Sequence, residues 1–354
     1  MELFIAGGVG EHGRNCFYVQ GEGICFLMDC GTMPETPQNP YPRLTTQQIQ
    51  NLDAVFLSHS HGDHAGALPW LYENGFHGDV IATDTTFCQL SFPVPNKYVI
   101  DEICPNGAGQ YKQLSIIWGR SGHCAGSVWY RFSEKGTSIL FSGDYIENTQ
   151  VYICDKIRKQ QADLAILDCA YGTSTITYTM ACDKIIQETT RLLAKHKLML
   201  FTVPKYGRGL EILKILSKHF TDIPFYADEQ FLLTIREQAA NNFWYQSEKI
   251  NASVQKYKDQ AQGIIFICDP QMREQATQNA AKKVISQGGI TIMTGTPEKG
   301  SYSDNLLQQN KMVLLRYPTH LNYTGIQKIN VQNSFTKTIP YHSKEFTASS
   351  RIKF

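Results

Sequence analysis

Apolar positions in the first half of the chain come in short runs rather than at helical spacing. Leu3 to Ala6, Cys16 to Val19, Ile24 to Met28 and Ala54 to Leu57 are rich in β-branched and aromatic residues and alternate with glycine-containing turns, which predicts strands. Ser127 to Phe132 and Ser138 to Phe141, joined by Ser133-Glu134-Lys135-Gly136, predict a hairpin that leads into Ser142-Gly143-Asp144. Leu164 to Leu167 predicts another buried strand, ending at Asp168. After Gly172 the period lengthens. Ala181 to Lys197 and Gly209 to His219 predict helices, separated by strand-like Leu198 to Val203 and Gly263 to Ile267, and such alternation predicts an α/β layer with a parallel sheet. A second domain is therefore expected from about Thr173 to Lys337, with no internal repeat or low-complexity stretch.

Composition narrows the class. A chain of 354 residues, 42% hydrophobic and 18% charged, can bury a sizeable core and suits about two domains. Its formal net charge of +1 excludes a protein coated in basic residues, so a nucleic acid would need a local groove. Ten cysteines are scattered singly with no C-x-x-C pair, which reads as thiols in a reducing compartment. The start, MELFIAGGVGEHG, has no basic segment followed by a long apolar core, and no apolar run approaches the ~18 residues of a membrane span. A cytoplasmic protein without a membrane partner is expected.

The densest chemistry follows the strand at Ala54. Leu57-Ser58-His59-Ser60-His61-Gly62-Asp63-His64-Ala65-Gly66 carries three histidines and an aspartate within six positions. Imidazole and carboxylate suit zinc and similar divalent ions, and a loop just past a strand end can turn all four side chains toward one point. His59 and His61, two apart, are placed to share one metal, with Asp63 and His64 facing a neighbour. Gly62, Ala65 and Gly66 are expected to let the backbone pack closely beneath them. A lone histidine is usually a surface or satisfied core residue, but that explanation does not account for H-x-H-x-D-H between a strand and a helix.

With this cluster the sequence resembles the metallo-β-lactamase superfamily and, within it, the β-CASP nucleases such as RNase J. The resemblance begins at Gly7-Gly8-Val9-Gly10-Glu11-His12-Gly13-Arg14-Asn15 and Met28-Asp29-Cys30-Gly31. It continues at His123 in Ser121-Gly122-His123-Cys124-Ala125-Gly126-Ser127, and at Asp144 in Phe141-Ser142-Gly143-Asp144-Tyr145. It implies an αββα metallo-β-lactamase sandwich over residues 1–172, an inserted β-CASP α/β cap over 173–337 and a return segment over 338–354. It also implies two divalent metals, zinc or manganese: one on His59, His61 and His123, a second on Asp63 and His64, with Asp144 bridging both. Asp63 would also be catalytic, and the nucleophile would be a metal-bound hydroxide.

Superfamily likeness alone does not fix the substrate. Ala162 to Gly172, with Asp168 at a strand end followed by Tyr171-Gly172, resembles the β-CASP acidic motif. Thr202-Val203-Pro204-Lys205-Tyr206-Gly207-Arg208-Gly209 resembles the cap's strand-loop-helix, and Gly289 to Thr296 a later cap strand. Ile339-Pro340-Tyr341-His342-Ser343 resembles the motif whose histidine contacts the scissile phosphate. The resemblance then implies that Asp168 orients His342 and that His342 protonates the leaving oxygen. Lys205 and Arg208 are candidates to grip phosphate and Tyr206 to stack on a base, although isolated basic residues are usually solvated and tyrosines packed. The implied activity is RNase J-like endo- or 5′-exoribonucleolytic hydrolysis of RNA or single-stranded nucleic acid, with homodimerisation left open.

One departure stands out. The family has a further histidine motif after the His342-like one, completing the second metal's shell, and none of the residues after His342 is histidine. A missing ligand, a partly occupied second site and a truncated return segment are therefore expected, unless the register of this end is shifted and His320 is the late ligand. Lys344 replaces an acidic residue common after that motif. Two other readings stay open: a catalytically weak nucleic-acid-binding relative, and a small-molecule hydrolase of the same superfamily.

Overall fold

The computed structural model describes residues 1–36 and 38–354. The chain forms two compact units. The first comprises Met1–Glu147, Cys154–Thr175 and His320–Phe354; the second comprises Asn148–Ile153 and Ile176–Thr319.

Two sheets face each other in the first unit. One has seven strands in the spatial order Arg351–Lys353, Glu2–Gly7, Cys16–Gln20, Cys25–Met28, Ala54–Phe56, Asp79–Ala82 and Lys97–Val99. The other has six, in the order Ser334–Tyr341, Gln161–Asp168, Thr137–Phe141, Val128–Glu134, Leu114–Arg120 and Ala108–Tyr111. Aromatic rings fill the gap. Phe56, which is fully buried, lies 5.6 Å from Phe26 in its own sheet and 4.7 Å from Phe132 of the other, while Phe17 lies 5.4 Å from Phe141. Burying one such side chain stabilises the fold by about 1.5–3 kcal/mol.

Helices cover the outer faces. Ile49, Leu68 and Leu71 pack on Leu27, Val55 and Val80 outside the first sheet, and Ile326 and Ile329 of the helix Tyr323–Val331 pack with Leu140, Ala165 and Leu167 outside the second. Helix, sheet, sheet and helix layers result, the αββα sandwich that the resemblance implied. The hairpin read from Ser127 to Phe141 is an antiparallel pair, with Thr137 opposite Glu134 and Phe141 opposite Tyr130.

The second unit holds a six-stranded, wholly parallel sheet in the order Val254–Lys256, Phe225–Ala227, Gly263–Ile267, Leu198–Thr202, Ile290–Met293 and Met312–Leu314. Its central strands are buried on both faces, which is why they read as unbroken apolar runs. The helices read from Ala181 and Gly209 span Tyr178–Leu193 and Arg208–His219.

Return to the first unit begins at His320, ahead of the expected boundary at 338, and residues 148–153 belong with the second unit. The reason is local. The Asn322 side chain accepts the Gly325 N–H to start the helix Tyr323–Val331, whose apolar stripe belongs to the sandwich. Nor does the return segment leave the sandwich open. Ser334–Tyr341 pairs in parallel with Gln161–Asp168, and Arg351–Lys353 pairs antiparallel with residues Glu2 to Phe4. Among the described residues no helix is long and apolar enough to cross a membrane.

Candidate metal centre

Strand ends assemble the site. Ala54–Phe56 runs into His59; in the second sheet Thr137–Phe141 runs into Asp144, Gln161–Asp168 ends on Asp168, and Ser334–Tyr341 runs into His342. Those three strands are parallel, with Phe141 beside Ile166 and Asp168 beside Tyr341, so their chemistry emerges at one edge.

The early loop turns sharply because His61 starts the short helix Gly62–Ala65, its carbonyl accepting the N–H groups of His64 and Ala65 at 2.9 Å. The segment Cys30 to Thr32 lies against that turn, and a Cβ on Gly31 would stand 1.7 Å from the Asp63 carbonyl oxygen. Only glycine permits this approach. Gly66 is also closely packed, an added Cβ meeting the Gly62 carbonyl oxygen at 2.5 Å, whereas Gly62, expected to serve the same purpose, faces open space.

His59, His61, His123 and Asp144 form one donor group, their ligand atoms all within 4.8 Å of one another. His59 Nε2 is 3.0 Å from His61 Nδ1, which is 3.2 Å from His123 Nε2, and Asp144 Oδ2 lies 3.5 Å from both His59 and His123. A second group is Asp63, His64 and His342. His342 Nε2 is 3.0 Å from Asp63 Oδ2, and Asp144 Oδ1 lies 3.1 Å from both His64 Nε2 and His342 Nδ1. Asp144 therefore presents one oxygen to each group.

The charges fit divalent cations. Burial, reinforced by the charge of His64, holds His59 well below the usual imidazole range, so it is neutral, the form that ligates. Burial opposes charge on His342 and His64, yet Asp144 and Asp63 outweigh it, taking His342 up to about 10 and His64 well above its ordinary value. The same attraction outweighs the burial of Asp63 and Asp144 and lowers both carboxyls. Two ionised carboxylates among imidazoles make a pocket that favours positive charge, and its nitrogen and oxygen donors suit divalent metals.

His64 is held from behind. Its Nδ1 is 2.6 Å from Asp29 Oδ2, and Asp29 also accepts the Ser58 N–H at 2.6 Å and the Ser58 hydroxyl at 2.7 Å. Asp29 is fully buried and adopts a left-handed backbone with φ 59°. A carboxylate behind a ligating histidine fixes which ring nitrogen faces the metal. Sequence reading placed Asp29 in a hairpin motif and gave it no role; an aspartate directly after the apolar run Ile24 to Met28 was the available signal.

Both late histidines approach Asp168, at different distances. Asp168 was expected to orient His342, but its Oδ2 is 3.1 Å from His320 Nδ1, whereas its Oδ1 is 3.8 Å from His342 Nδ1. Asp168 is itself fixed by the backbone N–H groups of Tyr145 and Ala170. His342 stands with Asp63 and His64 in the second donor group and also with Asp144, Asp168 and His320 in a third. The separation of His320 from His342 along the chain hides this, because both rings meet Asp144 and Asp168 in space. Lys205, Tyr206 and Arg208 lie in the second unit. The Lys205 ammonium sits 5.1 Å from the Tyr206 ring centroid, and Arg208 Nε donates to the Thr294 hydroxyl at 3.2 Å.

Residues 9–87 match the metallo-beta-lactamase superfamily. Over 255 residues the chain is 28% identical to the probable RNase MJ4 of Methanocaldococcus jannaschii, covering 64% of this chain and 59% of that protein. Over 268 residues it is 40% identical to the transcription termination factor FttA of Methanothermobacter thermautotrophicus, covering 64% and 42%. The chain thus spans about half the length of the curated relatives it matches. A crystal structure of a protein of unknown function from Enterococcus faecalis V583 shares the fold with a TM-score of 0.62 at 12% identity, over 97% of this chain and 94% of that one. Fold, donor groups and matched residues together make this chain a member of the metallo-β-lactamase superfamily. Within that superfamily the relatives it matches include ribonucleases, and the second unit is inserted in the chain as the β-CASP resemblance implied.

Proposed function

We propose that the protein hydrolyses phosphodiester bonds of RNA with two divalent cations. One would be held by His59, His61 and His123 and the other by Asp63, His64 and His342, with Asp144 shared. The observation that carries this reading is the position of Asp144, whose Oδ2 faces one donor group and whose Oδ1 faces the other. Cations in those positions supply Lewis acidity for a phosphoryl oxygen and a water acidified toward neutral pH. The nitrogen-rich donor set favours zinc. RNA is the substrate class because the ribonuclease name of a relative agrees with the acidic and histidine motifs carried here.

The remaining work falls to the chain's own side chains. Asp168, fixed by two backbone N–H groups, holds Nδ1 of His320 and so leaves Nε2 as the atom that meets substrate. His320 is therefore the residue that contacts the scissile phosphate and returns a proton to the leaving oxygen, the part first read onto His342. The alternative of a weakly active binder rested on an absent late ligand, and the closeness of His342 to Asp63 and His64 supports the enzyme reading over it. Lys205, Arg208 and Tyr206 remain candidates for holding the strand.

The test uses single-stranded RNA labelled at either end, with zinc or manganese, comparing wild type with Asp63→Ala. Cleavage by wild type alone is expected, and the label pattern separates internal cutting from 5′-end digestion. Intact RNA with both proteins overturns the proposal.

A further inference from the structure

A buried amide stands among the donors of the second group. Asn15 is fully buried, and its Nδ2 lies 2.9 Å from His64 Nε2. Asp29 holds the other ring nitrogen from behind, so Nε2 is the atom of His64 that is left to ligate. Asp144 Oδ1 and Asp63 Oδ2 stand 3.1 and 3.6 Å from that same atom, and the amide therefore keeps the spacing of the carboxylate donors. The backbone fixes it there. The Asn15 N–H donates to the Asp63 carbonyl at 2.9 Å, and the Asn15 carbonyl accepts the Gly31 N–H at 3.0 Å. Gly8 gives the side chain room, since a Cβ there would stand 2.6 Å from Asn15 Oδ1. Yet Oδ1 is buried and makes no hydrogen bond among the described residues. An apolar side chain of the same shape would pack in this place without stranding an acceptor, so packing does not account for an asparagine.

A cation discriminates between the two ends of the amide. One end is an NH2 that only donates and the other an oxygen that only accepts, and a half-turn about the Cβ–Cγ bond exchanges them. Once His64 Nε2 ligates, its lone pair no longer accepts from Nδ2, and an NH2 facing a positive charge is repelled. The half-turn brings Oδ1 to the place of Nδ2, 2.9 Å from the ligating nitrogen, and gives the stranded oxygen a partner. Side-chain amide oxygens are ordinary ligands of divalent ions. The two positions then differ in kind. His59, His61, His123 and Asp144 are mostly nitrogen donors, whereas Asp63, Asp144 and Asn15 set a majority of oxygens beside His64 and His342, and oxygen donors suit manganese.

We infer that Asn15 is a further ligand of the second cation, through Oδ1, and that it makes this position the more tolerant of manganese. This rests on the two-cation reading above. The full chain, loaded with zinc or with manganese, is titrated with a chromophoric chelator and its metal counted by mass spectrometry, for wild type, Asn15→Leu and Asn15→Asp. Asn15→Leu keeps the size and removes the donor. It should hold one equivalent as wild type does and weaken the other by about tenfold or more, the least that loss of even an outer partner costs, and by a larger factor for manganese than for zinc. Asn15→Asp keeps an oxygen, adds charge and has no N–H to donate, so it should bind the second equivalent more tightly than wild type, an outcome that is read whether or not Asn15→Leu folds. An amide that served only as a hydrogen-bond donor to His64 would be lost equally in both variants. Wild-type affinity for both equivalents in Asn15→Leu, or an Asn15→Asp no tighter than wild type, overturns the inference and leaves the two-cation reading intact. Equal weakening for the two metals overturns the manganese preference. A wild type that binds fewer than two equivalents removes the reading and the inference together.

Discussion

Replacing Asp29 by asparagine tests whether the centre is held from outside its donor atoms. The carboxylate accepts from Ser58 N at 2.6 Å, Ser58 Oγ at 2.7 Å and His64 Nδ1 at 2.6 Å, with His64 and Asp29 both fully buried. An amide keeps one oxygen. If that oxygen stays on the Ser58 N–H, the new NH2 meets the His64 Nδ1 proton, donor against donor. His64 must then move its proton to Nε2, the atom that faces Asp144 at 3.1 Å, and it ceases to be a ligand in that tautomer. Loss of such an outer partner weakens metal binding by about 10–100-fold, or about 1.4–2.8 kcal/mol. The cation on Asp63, His64 and His342 should be affected most, because Asp29 touches His64 directly and reaches His59 only through the Ser58 hydroxyl, which lies 3.0 Å from His59 Nδ1. Competition against a chromophoric chelator, with metal counted by mass spectrometry, should resolve one equivalent of wild-type affinity and one weakened equivalent. Two wild-type equivalents would refute the argument, and equal weakening of both would show that Asp29 supports the loop as a whole.

The late histidines separate by their effects. His342→Ala should lose one of two metal equivalents together with RNA cleavage, whereas His320→Ala should keep both and lose turnover by about 10²–10⁴-fold; a reversed pattern in metal counts would restore the original assignment. Gly31→Ala forces a methyl to within 1.7 Å of the Asp63 carbonyl, and urea unfolding should show destabilisation by about 2–4 kcal/mol, with a variant as stable as wild type refuting the close approach. Burial pushes the Glu11 carboxyl up, but hydrogen bonding and charge from Arg14, then the charge of Arg43, outweigh it, so its folded value lies below its ordinary one. The stability this gives is complete above the unfolded value of about 4.3 and is lost as pH falls through the folded value. The melting-temperature gap between wild type and Glu11→Gln should therefore hold from pH 8 to about 5 and narrow below about 4; a gap unchanged to pH 3 would contradict it.

How far the sequence carries the reader depends on whether a contact is local. His59, His61, Asp63 and His64 sit within six positions after an apolar strand, so their convergence follows from one turn. Asp144 and Asp168 were legible for a similar reason, each closing a recognisable apolar run. The sandwich and the parallel sheet were readable because buried strands leave short β-branched runs and helices leave longer periods. The return at His320 was not, since the apolar stripe of a nine-residue helix does not say which sheet it covers.

His320 and His342 show the limit most clearly. Motif order assigns a histidine its role by counting along the chain, but the centre assigns it by register across strands. Tyr341 is the neighbour of Asp168 in the parallel ladder, which suggests that the next residue, His342, should be the partner of Asp168. Backbone conformation breaks that inference. His342 has φ 68°, a left-handed value uncommon outside glycine, and its N–H is taken by Gly8 at 2.6 Å. The ring consequently joins Asp63 and Asp144, and the space beside Asp168 is filled by His320. Strain of this kind persists where surrounding contacts over-determine it. Here the Gly8 carbonyl supplies such a contact from the far end of the chain, so the amino-terminal loop determines which of two late histidines completes the second donor group.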